Sequence, residues 1–93
     1  MTARFNTGNA GGATVGQTST LVLPREGGRQ YALIVNISNE TIYLNLGADA
    51  ALETGIPLTP GGGAIELTGE NLFVGDVYAI CSSGDKKLTY YWA

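Results

Sequence analysis

The stretch that most strongly indicates the fold is QYALIVNISNETIYLNL, residues 30–46. Its first half, residues 30–37, is apolar at almost every position, and strand alternation divides it into two largely apolar faces. One face carries Tyr31, Leu33, Val35 and Ile37, and the other carries Ala32, Ile34 and Asn36. A strand that can bury both faces is typical of the interior of a sheet. We therefore predict an inner strand at this position.

The second half of the same stretch, residues 41–46, alternates more regularly. Ile42, Leu44 and Leu46 point to one side, and Thr41, Tyr43 and Asn45 point to the other. This pattern is typical of a strand with one buried face and one exposed face. The intervening residues 38–40 are a turn sequence, so the two runs together predict a β-hairpin.

Short β-prone segments separated by turns continue on both sides of this stretch. They are residues 20–23, 56–59, 64–68, 77–82 and 86–92, with a second hairpin turn expected at residues 83–85. Pro57 restricts its segment to a sheet edge or an irregular position, because proline cannot donate to a strand ladder. No segment shows a convincing helical period. The pattern predicts an all-β fold, a small antiparallel β-sandwich or barrel of six to eight short strands.

The first 19 residues differ in composition from the rest of the chain. Residues 6–17, NTGNAGGATVGQ, contain four glycines and a single large apolar side chain, Val15. Ordering such a segment costs roughly 1–2 kcal/mol per residue, and little apolar surface is available to offset that cost. We expect residues 1–19 to be an extended N-terminal arm and residues 20–93 a single β domain. The arm is either a frayed terminus or a segment that orders against a partner subunit, with Phe5 as its anchor.

Composition excludes several classes of function. The 93 residues include no histidine and only five lysines and arginines, and the formal net charge of the chain is -3. The commonest general base and zinc ligand is therefore missing, and the basic residues are too scattered for counterion release on nucleic acid. We expect a protein that is not an enzyme and binds neither nucleic acid nor a membrane. Because a domain of this size has a marginal core, we also expect it to associate into oligomers.

Three local features suggest chemistry but are better explained structurally. The glycines at residues 61–63 precede a strand without a lysine, which favours a flexible connection over a phosphate-binding loop. The acidic residues lack the spacing of a calcium loop, so we expect no cofactor and no metal. Cys81 cannot form an intrachain disulfide, which fits a reducing cytoplasm. We expect it to be a small buried hydrophobe.

The chain ends in three aromatic residues, Tyr90, Tyr91 and Trp92. Strand alternation places Tyr90 and Trp92 on one face and Tyr91 on the other. Core packing accounts for one face only, and tyrosine and tryptophan are favoured at protein interfaces. Tyr91 is then left exposed, together with Tyr43 and Tyr78. A core role, a protein interface and a glycan platform all remain open at this point. Our candidate interface residues are Phe5, Val15, Tyr43, Tyr91 and Trp92.

The chain from residue 31 to residue 91 resembles a family of small structural proteins of tailed bacteriophages. The segments that carry the resemblance are Val35-Asn36-Ile37-Ser38, Ile42-Tyr43-Leu44, Leu46-Gly47, Gly55-Ile56-Pro57-Leu58, Pro60-Gly61-Gly62-Gly63 with Glu66, Val77-Tyr78-Ala79-Ile80-Cys81-Ser82-Ser83-Gly84 and Leu88-Thr89. They cover about two-thirds of the chain, and their succession is more specific than any one of them. The family pattern is less clear before Tyr31.

The resemblance implies a β-sandwich that decorates or cements the phage head, commonly as a trimer at capsomer junctions. The implied partner is the major capsid protein, and the implied location is the capsid surface of a virion assembled in the bacterial cytoplasm. Proteins of this kind are also found on tail or fibre parts. The alternative is therefore a tail, neck or fibre module that binds a receptor or glycan, with Tyr43, Tyr91 and Trp92 as the stacking surface. The family has no catalytic motif to carry over.

Overall fold

The computed structural model of the protein describes residues 8–93, so Phe5 lies outside the described residues. Eight strands form two antiparallel four-stranded sheets. The strands are β1 (Asn9–Val15), β2 (Thr20–Leu23), β3 (Tyr31–Asn36), β4 (Ile42–Leu46), β5 (Ile56–Leu58), β6 (Ala64–Thr68), β7 (Val77–Ile80) and β8 (Lys86–Trp92), with a 3₁₀ turn at Gly69–Asn71. The first sheet has the order β1-β8-β3-β6, and the second has the order β2-β7-β4-β5. The all-β expectation is confirmed, as a small sandwich.

The hydrophobic core lies between the two sheets. The first sheet contributes side chains such as Ile34, Leu67 and Leu88, and the second contributes Ile42 and Leu44, all of them buried. These are the inward positions that strand alternation assigns. Strand β3 has a neighbour on each side, β8 and β6, which confirms that it is an inner strand.

The two hairpins expected from the sequence do not form. β3 belongs to the first sheet and β4 to the second, and likewise β7 belongs to the second and β8 to the first. Each short connection therefore crosses from one sheet to the other. Both strands of a pair still bury one face in the same core, but from opposite sides. Local alternation cannot distinguish a hairpin from such a crossing, because it fixes which side chains are buried and not which strands are neighbours.

Part of the expected N-terminal arm is a strand of the sandwich. β1 pairs antiparallel with β8 over all seven of its residues, and Val15 is 0% exposed. The glycines here make room for aromatic rings. A side chain at Gly8 would overlap the Tyr91 hydroxyl, and one at Gly11 would come within 2.6 Å of the Tyr90 hydroxyl. Two tyrosines of β8 thus supply the packing surface that the glycine-rich segment lacks, and residues 9–15 belong to the domain.

Pro57 lies in an edge strand, and the glycines at residues 61–63 form a hydrogen-bonded loop. β5, which contains Pro57, is an edge strand of the second sheet, as predicted. Gly61 and Gly62 have φ values of +74° and +118°, which favour glycine. The loop is tied to the end of β3, since Gly62 N–H donates to the Asn36 carbonyl and Asn36 N–H donates to the Gly63 carbonyl, both at 2.8 Å. The flexible connection expected from composition is instead held by backbone hydrogen bonds.

Candidate functional site

The structure separates the residues that the sequence grouped as an interface. Val15 is fully buried in the core, so it presents no surface to a partner. Trp92 is half-buried and packs against the core from the inner side of β8. Tyr43 lies in the second sheet and Tyr91 in the first. Of the five candidates, Tyr91 points outward from the first sheet, and Phe5 lies outside the described residues.

Tyr91 belongs to an apolar patch on the outward face of the first sheet. We call this patch the tyrosine face and define it as Tyr31, Leu33, Val35, Thr89 and Tyr91. These residues alternate with the buried residues of β3 and β8, and each is half-buried. Leu33 lies opposite Tyr91, and Val35 lies opposite Thr89, across the β3–β8 pair. Because directly opposed residues point to the same side of a sheet, the five side chains form one continuous surface.

The rings of the two tyrosines of this face contact each other, and one of the tyrosines also donates a hydrogen bond to a carboxylate. The rings of Tyr31 and Tyr91 meet edge to face, with centroids 6.2 Å apart and planes at 64°. The Tyr31 hydroxyl donates a 2.6 Å hydrogen bond to Glu66 Oε2. This hydrogen bond is the main cause of a raised pKa for Tyr31. The tyrosine face therefore presents aromatic side chains that are already positioned, which lowers the entropy cost of binding a partner.

A recess adjoins the tyrosine face beside the end of β3. It has a volume of about 320 Å³ and is lined by residues of β1 and β8 together with Ile37. Ile37 is 56% exposed, which is unusual for a large aliphatic side chain at a strand end. Gly12, whose missing side chain widens the recess, lies on the same outward side as Thr89, its partner in the β1–β8 register. The recess extends the apolar surface beyond the strands.

The outward face of the second sheet is different, because the chain folds back over part of it. The Asn45 amide donates to the Asp49 carbonyl at 3.0 Å, and Ala50 N–H donates to Ser19 Oγ at 2.8 Å. These bonds tie the β4–β5 connection down, and Ala50 is buried there. The uncovered part of this face carries Leu21, which is 45% exposed, opposite Tyr78. The tyrosine face differs in having two tyrosine rings in contact with each other, and we take it as the candidate surface for a partner.

A polar cluster centred on Glu40 joins the two crossings between the sheets. Its carboxylate accepts hydrogen bonds from Ser82 Oγ at 2.6 Å, from Ser83 N–H at 2.8 Å and from Ser83 Oγ at 2.8 Å. The bonds from Ser82 and Ser83 favour the charged form and hold the pKa of Glu40 below its ordinary value. The carboxylate thus joins the β3–β4 connection to the β7–β8 connection through hydrogen bonds. Sequence patterns do not reveal this cluster, because Glu40 and its serine partners are more than forty positions apart.

We expect the Glu40→Gln substitution to make the stability of the protein less dependent on pH in the acidic range. A carboxyl whose pKa is lowered in the folded state stabilises the fold above its unfolded pKa, and that stabilisation is lost as the pH falls through the folded value. In the parent protein, urea unfolding midpoints should therefore fall more steeply below about pH 4.5 than in the variant. The Glu70→Gln variant, changed in an exposed turn, is the control. If the urea midpoints of the parent and Glu40→Gln proteins fell equally steeply in acid, the Glu40 carboxylate would not stabilise the connections between the sheets.

Cys81, Ser82 and Ser83 place a thiol and two hydroxyls close to the Glu40 carboxylate. Cys81 is fully buried, as expected, and burial is the main cause of a raised pKa for its thiol. The hydroxyls of Ser82 and Ser83 donate to the Glu40 carboxylate at 2.6 and 2.8 Å. Within residues 8–93, no three acidic, cysteine or histidine side chains lie close enough together to hold a metal ion.

Two other buried polar residues hold the loops, and the sequence did not single out their roles. Asn36 is 0% exposed and Arg29 is 2% exposed. Asn36 was placed on the inward face of its strand, and an amide among inward apolar side chains is the signal that could have identified it. Arg29 had no such signal, since it lies in a turn sequence of charged and glycine residues.

Comparisons with known proteins leave the structure as the principal guide to function. Among residues 8–93, no helix is long and apolar enough to cross a membrane. No protein-family model matches the chain, and neither a curated protein nor a solved structure matches it with significance.

Proposed function

We propose that the protein is a bacteriophage capsid decoration protein that binds the outer surface of the head and stabilises contacts between major capsid proteins. The observation that carries this proposal is the tyrosine face, an apolar and aromatic sheet surface positioned before binding. The resemblance over residues 31–91 supplies the phage context and favours a trimer as the bound form.

The tyrosine face has the composition of a protein interface. Its centre is aromatic and aliphatic, with Leu33 and Val35 beside the two tyrosines, and Glu66 lies at its rim. Interfaces are depleted of charged residues at the centre and enriched in tyrosine. A standard interface buries about 800 Å² per partner, which a four-stranded sheet face and its rim can supply. A cement protein then acts mechanically, by adding contact area between neighbouring shell subunits.

The alternative is a tail, neck or fibre module that binds a receptor or glycan. As derived from the sequence, it needs Tyr43, Tyr91 and Trp92 on one stacking surface. Those side chains lie on the second sheet, on the outward face of the first sheet and on its inner face, respectively. We therefore favour head binding over this alternative. The copy number in purified particles separates the two, since a shell protein is far more abundant than a tail or neck part.

The test mixes purified protein with phage heads that lack it and measures co-sedimentation and heat resistance. We expect binding to the heads and a rise in their disruption temperature. The Tyr91→Ala substitution should weaken binding by about 10- to 100-fold, the usual cost of removing a central aromatic anchor. Thr89→Lys should weaken it similarly, by placing a charge in the same face without removing an aromatic ring.

The matched control is Tyr78→Ala, which removes a half-buried tyrosine from the outward side of the second sheet. It should bind heads like the parent protein, with circular dichroism verifying that all the variants are folded. Absence of co-sedimentation, or equal binding by the Tyr91→Ala and parent proteins, would refute the proposal as stated.

A further inference from the structure

The sandwich has four edge strands, and three of them carry features that block the addition of another strand. β5 has only three residues and contains Pro57. β2 has four residues, a break in register between Leu21 and Leu23, and Pro24 directly after it. β6 carries the charged Glu66 at its centre. Short length, proline, bulges and charge are the usual protections of a sheet edge against pairing with another chain.

The fourth edge, β1, has none of these protections. Its seven residues, NAGGATV, include no charge and no proline, and its register with β8 is continuous from Asn9 to Val15. Within the described residues β1 pairs as a strand with β8 alone. Ala10, Gly12 and Thr14 are small and exposed, whereas the C-terminal end of β1 is covered, because the Val15 carbonyl accepts from the Cys81 thiol at 3.3 Å and the Gly16 carbonyl accepts from Cys81 N–H at 3.0 Å. A second strand can therefore approach along the exposed part of β1, from Ala10 to Thr14.

We propose that β1 pairs antiparallel with β1 of a second copy of this chain, across a two-fold axis at Gly12. This register places Asn9 opposite Val15 of the second copy and Ala10 opposite Thr14. Ala10, Gly12 and Thr14, the exposed residues at the centre of β1, then lie in the contact, and the outward faces of both copies remain on the same side. The two first sheets become one continuous sheet of eight strands, and the two tyrosine faces become one larger surface.

The charged residues of the first sheet lie outside the proposed contact. Lys86 and Lys87, on β8, lie beside Val15 and Thr14 at one end of β1. Antiparallel pairing places the two lysine pairs at opposite ends of the contact, about 14 Å or more from each other because both copies of β1 lie between them, and β1 itself contributes no charge. Glu66, which faces outward on the same sheet, lies at the far edge. Two copies that each carry a net charge of -3 thus meet along an uncharged strand.

The pairing does not depend on the proposed function. Each chain has a single β1, so the contact joins chains in pairs, and in a trimeric decoration protein it links subunits of neighbouring trimers. Light scattering over a concentration series should therefore detect an even multiple of the 9.7 kDa chain mass. A monomer or an isolated trimer at every concentration would overturn the inference, whatever the result of the head-binding test.

A matched pair of double variants tests the position of the contact. The Ala10→Lys/Thr14→Lys variant places two like-charge pairs across the proposed two-fold axis. The Ala64→Lys/Thr68→Lys variant makes the same changes, four residues apart, on the outward side of the opposite edge strand, β6. The first should lose the even-numbered species, and the second should retain it. Equal behaviour of the two variants would contradict pairing through β1.

The register is tested by oxidative cross-linking between variants that each carry one introduced cysteine. A mixture of the Ala10→Cys and Thr14→Cys proteins should give more disulfide-linked dimer than either protein alone, because these positions face each other across the two copies. The native Cys81 is buried and does not interfere. A mixture of Ala64→Cys and Thr14→Cys is the control. A mixed yield no higher than that of the separate proteins would reject the register.

Discussion

The Asn36→Asp substitution is expected to destabilise the protein by about 3–5 kcal/mol at neutral pH. Asn36 is fully buried, and its amide uses both donors and both acceptor positions. Nδ2 donates to the carbonyl oxygens of Glu40 and Leu58, each at 2.8 Å. Oδ1 accepts from Ser38 N–H at 2.9 Å and from Ser38 Oγ at 2.7 Å. A carboxylate retains the second pair of bonds but faces two carbonyl oxygens without a proton to donate.

This loss is large relative to the whole stability of the fold. A chain of 93 residues has a total free energy of unfolding of roughly 5–14 kcal/mol. The introduced carboxyl can relieve the conflict by binding a proton, so its pKa in the folded state is raised. A raised folded-state pKa lowers stability as the pH increases above the unfolded value near 3.9. The deficit should therefore be smallest in acid and grow toward neutral pH.

Urea unfolding of the parent and variant proteins between pH 3 and pH 7 measures both effects. The control is Asn45→Asp, the same change at an outward position of β4, where the amide makes a single exposed hydrogen bond to the Asp49 carbonyl. That variant should lose less than about 1 kcal/mol. A deficit at position 36 no larger than at position 45 would show that Asn36 does not hold the crossing between the sheets.

Asn36 also explains why the sequence predicts the positions of the strands better than it predicts which strands lie next to each other in a sheet. Alternation identified the buried side chains of β3 and β4, because burial depends on a local period of two. The crossing between the sheets depends on a buried amide that reaches the carbonyl of Leu58, 22 residues away. Such a bond leaves no periodic trace. The short turn at residues 38–40 therefore predicted a hairpin, and the structure has a crossing.

The N-terminal strand β1 is a second case in which a contact between distant residues is not visible in the local sequence. Glycine content predicted an arm, because glycine weakens strands and supplies no packing surface. The surface comes from Tyr90 and Tyr91, about eighty positions away, whose rings require that Gly8 and Gly11 have no side chains. Strand alternation placed Tyr91 on the face opposite Tyr90 and Trp92, and in the structure Tyr91 points outward. Alternation could not identify Tyr31 as the ring partner of Tyr91, since that contact depends on the pairing of β3 with β8.

The second large effect is expected for Arg29→Met, which should cost about 2–4 kcal/mol. The guanidinium is 2% exposed and donates to three backbone carbonyls. Nη1 donates to Pro24 at 3.2 Å, and Nη2 donates to Phe73 and Gly75, each at 2.9 Å. Burial lowers the pKa of Arg29, and the carboxylates of Glu26 and Asp76 act in the opposite direction. The side chain thus fastens the β2–β3 loop to the segment that leads into β7.

Methionine matches the length of the arginine stem but donates no hydrogen bond, so three carbonyls at the end of the sandwich lose a partner. Arg29→Lys should recover only part of the loss, because an ammonium lacks the planar fork that reaches carbonyls on two separate segments. The control is Arg25→Met in the same loop, where the side chain is exposed and the change should stay within about 0.5 kcal/mol. Urea unfolding gives the order parent, Arg25→Met, Arg29→Lys, Arg29→Met, from most to least stable. If Arg29→Met were as stable as Arg25→Met, the loop would be held by its backbone bonds, such as Glu26 N–H to the Val74 carbonyl.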